Sequence, residues 1–261
     1  MNYLIKSFLL FCGILFLGCN STYKSIVGVG IGQIFNEEYG KPLILLIEYD
    51  PWSMYMGAEV PTFVLYENGQ IIYRIIENHE IKLYQIKYPR EQINYVIESF
   101  GIKKSIYLVP GKINAVSSFV TDQPYTVLML DYERQKTIGV YGLLPGNRCK
   151  KAMENFMSVY EKLVNYRGEN AEEWLPERIE VLFSEYNNAR NRRQWIEGFP
   201  DLNSPDTIKR SEFHESYSVF ISKAQFNEFI EYLSQRGDRE ATEINGKLMS
   251  ISYRLPFPNI K

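Results

Sequence analysis

The side chains most used for metal binding and nucleophilic catalysis are scarce in this chain of 261 residues, which has two histidines and three cysteines. His79, in ENHEIK, and His214, in SEFHESY, each stand beside a glutamate. Neither H-E-x-x-H spacing nor a cysteine pair accompanies them, so no metal is expected. A serine hydrolase would show G-x-S-x-G with a partner histidine, and that motif is missing. Charge of one sign is also lacking, with 29 Lys and Arg against 31 Asp and Glu. Backbone neutralisation needs a concentrated basic surface, so nucleic acid is not an expected partner. Gly28, Gly30 and Gly32 suggest a phosphate loop, but Gln33 stands where a dinucleotide fingerprint needs glycine. Ser21 and Lys24 have S-x-x-K spacing without the S-D-N or K-T-G companions of penicillin-recognising enzymes. No cofactor is expected.

Long apolar runs are missing too. Phe8–Leu17 is the apolar stretch of the N-terminus, roughly half of the about 20 residues that a spanning helix needs. Lys6 precedes it and Gly18 and Cys19 follow, which are the parts of an export signal. Phe16, Leu17, Gly18 and Cys19 resemble the lipobox of bacterial lipoproteins, where a small residue precedes the cysteine that receives a diacylglyceryl thioether and becomes residue one. The resemblance covers residues 1–19. It implies a lipid anchor at Cys19, the membrane as a partner, and a membrane-anchored place in the cell envelope. With Cys12 in the signal and Cys19 acylated, Cys149 is the remaining thiol, so no disulfide is expected. The rest of the chain resembles bacterial exported proteins to which no activity is assigned.

Residues 1–18 are read as signal, 19–40 as a flexible tether, and 41–167 and 174–261 as two α+β halves that form one domain or two. LILLIEY at 43–49 predicts a strand. TFVLYENGQIIYRII at 62–76 predicts two strands around Asn68-Gly69, a dipeptide suited to a type I′ turn. After IKLYQIKY, Pro89 opens a helix whose Ile93, Val96, Ile97 and Phe100 share one stripe and which stops at Gly101. YTVLMLDYERQKTIGVYG at 125–142 predicts a strand pair, followed by a helix after Gly146 burying Met153, Phe156, Met157, Tyr160, Leu163 and Val164. Strands RIEVLF and SYSVFIS, a helix with Phe226, Phe229, Ile230 and Leu233, and a hairpin at Asn245-Gly246 complete the pattern. In KLMSISYRL, Met249, Ile251, Tyr253 and Leu255 form a dry face, and Ser250, Ser252 and Arg254 a wet one. The expected fold class is α+β: mostly antiparallel sheet built from hairpins, with three amphipathic helices packed on it.

KPLILLIEYDPWSMYMG followed by EVPTFVLYENGQIIYR resembles the thioredoxin strand and redox loop, but Ser53–Met56 holds no cysteine, which excludes that chemistry. Glu48 and Asp50 on one strand, with Glu59 across the loop, provide the carboxylates a glycan hydrolase would need. Two loops carry the composition of contact surfaces. One presents Trp52, Met54, Tyr55 and Met56; the other, from Asn187 to Ser211, carries Arg190, Arg192, Arg193 and Trp195. Aromatic residues, 15% of the chain, suit half-buried strands and also stacking on sugar rings. The expectation is a lipid-anchored envelope protein of non-enzymatic binding type, with an envelope protein or glycan as partner. A glycan hydrolase using the carboxylates and a toxin-immunity or inhibitor lipoprotein are the alternatives.

Overall fold

A computed structural model describes residues 35–51, 60–77, 80–116, 122–144 and 153–260. Cys19, Trp52, Tyr55, Glu59, His79 and Cys149 lie outside the described residues. The first sheet contains β1 (Pro42–Tyr49), β2 (Phe63–Tyr66), β3 (Gln70–Glu77), β4 (Glu80–Lys87), β5 (Lys112–Asn114), β6 (Tyr125–Asp131), β7 (Gln135–Tyr141) and β8 (Glu172–Glu173), ordered β5-β7-β6-β1-β2-β3-β4-β8. The second contains β9 (Arg178–Glu185), β10 (Asn191–Gln194), β11 (Ile208–Lys209), β12 (Ser216–Ser222), β13 (Glu240–Ile244) and β14 (Lys247–Arg254), ordered β10-β13-β14-β9-β12-β11. Three α-helices are described: α1 (Ile93–Ser99), α2 (Glu154–Val164) and α3 (Phe226–Ser234). Among the described residues, no helix is long and apolar enough to cross a membrane.

Successive side chains of a strand point to opposite faces, and the two faces of the first sheet feed two cores. Ile44, Leu46, Phe63, Leu65, Ile71 and Leu128 pack with Val96 and Ile97 of α1 and with Phe156 and Leu163 of α2. Leu45, Val64, Tyr66, Ile72 and Leu83 join Ile179, Val181 and Phe183 of β9, Val219 and Ile221 of β12, and Phe229 of α3 in the second cluster. LILLI at 43–47 therefore shows no alternation because both of its faces are covered. The two halves expected at 41–167 and 174–261 share this second cluster.

The sheets are mostly antiparallel, as expected, but they are mixed and not built from hairpins alone. β5 pairs parallel with β7, and β10 parallel with β13; the other ladders among the described residues are antiparallel. In the second sheet the centre is β9, flanked by β14 and β12 rather than by its neighbours in sequence. The hairpin turns also differ from one another. Asn245 and Gly246 both have positive φ, 48° and 74°, as a type I′ turn requires. At Asn68-Gly69 only the glycine does, at 85°, and its N–H donates to the Tyr66 carbonyl over 3.0 Å. That loop is a type I turn closed by a glycine bulge, not type I′. A Cβ at Gly69 would stand 2.1 Å from the Tyr88 carbonyl oxygen, so the position is closed to any side chain.

The chain's last residues fold back on its first described ones. Tyr66 Oη donates to the Pro258 carbonyl (3.0 Å), and the Asn259 amide donates to the carbonyls of Asn36 (2.9 Å) and Gly40 (2.6 Å) while accepting from the Asn36 N–H (2.7 Å). Residues 36–40, the end of the span read as a tether, are thus tied to the folded body.

Candidate binding site

Glu48 stands near the end of β1 with both carboxylate oxygens engaged. Oε1 accepts from Tyr160 Oη of α2 (2.8 Å); Oε2 accepts from Thr62 Oγ1 (2.8 Å) and Arg74 Nη2 (2.8 Å). Burial, and next the Glu48 charge, push the Tyr160 hydroxyl well above the ordinary tyrosine range, so it remains a proton donor to the carboxylate. A carboxylate with this set of partners holds strands to a helix. Asp50 is exposed two residues further on, and Glu59, the third member of the expected set, is outside the described residues.

The arginine-tryptophan loop is stitched into the second sheet through β10. Trp195 is half-buried, with ring centroids of Phe183 at 5.1 Å, Tyr232 at 5.7 Å and Phe199 at 5.9 Å, and its indole N–H donates to the Pro200 carbonyl (2.9 Å). Arg193 lies 4.8 Å over the Tyr232 ring and donates to the Tyr232 carbonyl (3.1 Å) and to Gln235. Arg192 pairs with Glu243 of β13 at 3.3 Å, and Arg190 is exposed. Arg192, Arg193 and Trp195 therefore anchor β10 to β13 and α3. Trp52 and Tyr55, proposed with them as contacts, are outside the described residues. Among the described residues no group of His, Cys, Asp and Glu is gathered as a metal site.

A mixed apolar and polar concavity lies elsewhere, where residues 36–39, 174–178 and 256–259 meet. It is a cleft of about 530 Å³ walled by Tyr39, Trp174, Pro176, Phe220 and Phe257, with Glu38, Glu177 and Arg178 at its rim. Trp174 packs against Phe257 with centroids 5.0 Å apart. Burial raises the Tyr39 hydroxyl, which keeps it neutral. The Arg178 guanidinium lies 4.6 Å over the Phe220 ring and pairs with Asp206 at 2.8 Å. A groove between α1 and α2, of about 560 Å³, is lined mainly by Ser99, Ser158, Glu161, Lys162, Asn165 and Arg167. Phe100 and Tyr166 give it apolar walls as well, but it is more open to solvent, so the more enclosed cleft at the chain ends is the better candidate.

Sequence reasoning passed over these residues. The available signal was a pair of aromatic-proline clusters, W-L-P at 174–176 and L-P-F-P at 255–258, each beside a strand end. No family model, curated protein or solved structure matches the chain.

Proposed function

We propose that this chain is a lipid-anchored protein of the cell envelope that binds a macromolecule, protein or glycan, rather than converting it. Cys19 carries the diacyl anchor in this reading, each buried methylene contributing about 0.8 kcal/mol to membrane attachment. The cleft between residues 36–39, 174–178 and 256–259 is the contact site. The observation that carries the binding reading is the cleft's composition: apolar rings and prolines form the walls, and charged groups of both signs sit at the rim. Glu48, the described carboxylate best placed by sequence for acid-base work, already has Thr62, Arg74 and Tyr160 as partners.

The test is a photo-crosslinking residue at the exposed rim position Glu38 of the full chain in its native membrane, with Tyr95 of α1, 76% exposed, as the control position. Adducts specific to Glu38 are expected. Identical adducts from both positions would remove the cleft from the proposal. Cys19→Ser is expected to move the chain from the membrane to the soluble fraction, and continued membrane retention would remove the anchor.

A further inference from the structure

On the outer face of the second sheet, Glu180 has no solvent exposure. It is opposite Arg254 on β14 and Phe220 on β12, and shares its strand face with Arg178. Arg254 Nε donates to Glu180 Oε2 (2.8 Å), with its Nη2 2.6 Å from the same oxygen. Arg210 Nη2 and Ser218 Oγ both donate to Oε1, and Arg210 Nε donates to Ser218 Oγ. One buried carboxylate therefore faces two guanidiniums.

The neighbouring acids do not cancel the excess cation. Asp206 pairs with Arg178, Glu177 with Lys223 at 3.8 Å, Glu212 with Lys209 at 3.9 Å, and Glu215 with Lys247. A charge held away from water without a counter-charge is costly. Each guanidinium has five N–H donors, and these two direct their Nε and Nη2 atoms to Glu180 and Ser218, leaving Nη1 donors on both without a hydrogen bond among the described residues. Their side chains retain 26% and 15% exposure, so an ion can approach from solvent. One row along the same face, the Ser252 hydroxyl is buried and has no hydrogen-bond partner among the described residues. The groups left over are thus spare guanidinium donors, a net positive charge and an unused hydroxyl.

We propose that this face of the second sheet is an oxyanion site, in which Arg210 and Arg254, held in place by Glu180, take a phosphate or carboxylate group through their remaining N–H donors. Arg178 and Phe220 border both this face and the cleft, so the bound anion sits at the cleft's edge. Neither the anchor nor the cleft's occupant is needed for this anion to bind.

The test compares melting of the full chain in inorganic phosphate, acetate and chloride at equal ionic strength and pH. A rise of roughly 5–11 °C over chloride is expected in phosphate at about a hundredfold excess over its Kd, with acetate showing whether a carboxylate serves as well. Arg210→Gln leaves Glu180 and Arg254 as a one-to-one pair and is expected to abolish the rise. As a second measurement on the unaltered chain, phosphate titration is expected to move the Nε resonances of Arg210 and Arg254. Equal midpoints in all three salts, a rise preserved in Arg210→Gln, or unmoved arginine resonances would each overturn the proposal.

Discussion

Replacing Glu180 with Gln changes the shape of the side chain little and removes its charge, so no cavity contributes to the outcome. The carboxylate is wholly buried and holds Arg254, Arg210 and Ser218. Breaking a buried ion pair from one side typically costs about 3–5 kcal/mol, because the partner is left charged and desolvated. Here the two arginines keep 26% and 15% side-chain exposure and can regain some water, which places the loss near the lower end, about 3 kcal/mol. In a chain of this size each kcal/mol lowers the melting midpoint by about 2–4 °C, so a fall of roughly 6–12 °C is expected. The comparison is Glu48→Gln. That carboxylate also has an arginine partner and two hydroxyl donors, but its side chain is 28% exposed and that of Arg74 16%. Solvent screens this pair, and its loss is set at about 1–2 kcal/mol. Thermal and urea unfolding of the two variants beside the parent chain checks the order. If Glu180→Gln melts at or above Glu48→Gln, burial does not govern these two pairs and the reasoning fails.

Asn259→Ala removes three hydrogen bonds that tie residues 36–40 to the chain's end, two of them to backbone carbonyls. The expected loss is about 2 kcal/mol, with faster amide hydrogen exchange over residues 36–40 as the local signature; unchanged exchange there would contradict the tie. At alkaline pH, Tyr160, Tyr66 and Tyr166 all titrate above their ordinary value of 10.0 when folded, chiefly through burial. The folded chain keeps protons that the unfolded chain releases, so stability is complete below pH 10 and falls as the pH rises beyond it. Urea midpoints measured across that range are expected to drop, and to drop less steeply in Tyr160→Phe. A slope that Tyr160→Phe leaves unchanged would mean that this hydroxyl is not held protonated by its site.

Where structure follows from neighbours within a few residues, the sequence alone determined it. Ile93, Val96, Ile97 and Phe100 recur at helical spacing, and all four are buried around α1, with Gly101 at a φ of 80° ending it. SYSVFIS is β12 from its first residue to its last, and the strands around the Asn245-Gly246 turn pair as read. Even the bulged turn at Gly69 follows a dipeptide that marked it as a turn, although the loop's closure by Tyr66 decided its type. β10 was out of reach because NRRQ has neither alternation nor strand-forming residues; only the exposed edge of β13 makes it a strand.

The site lay further beyond sequence reasoning than the fold did. RIEVLF places Glu180 on the wet face by alternation, and what takes it out of water is Arg254, 74 residues away, together with Arg210, 30 away. Trp195 in an aperiodic loop has a contact residue's composition, and its contacts with Phe183, Phe199 and Tyr232 exist only once β10 is in place. The cleft needs residues 36 and 259 side by side, a separation of 223 positions. Periodicity and turn sterics act along a few residues of backbone and so can be read in order. Ion pairing, sheet edges and concave surfaces depend on which distant segments meet, and only the folded chain brings these together.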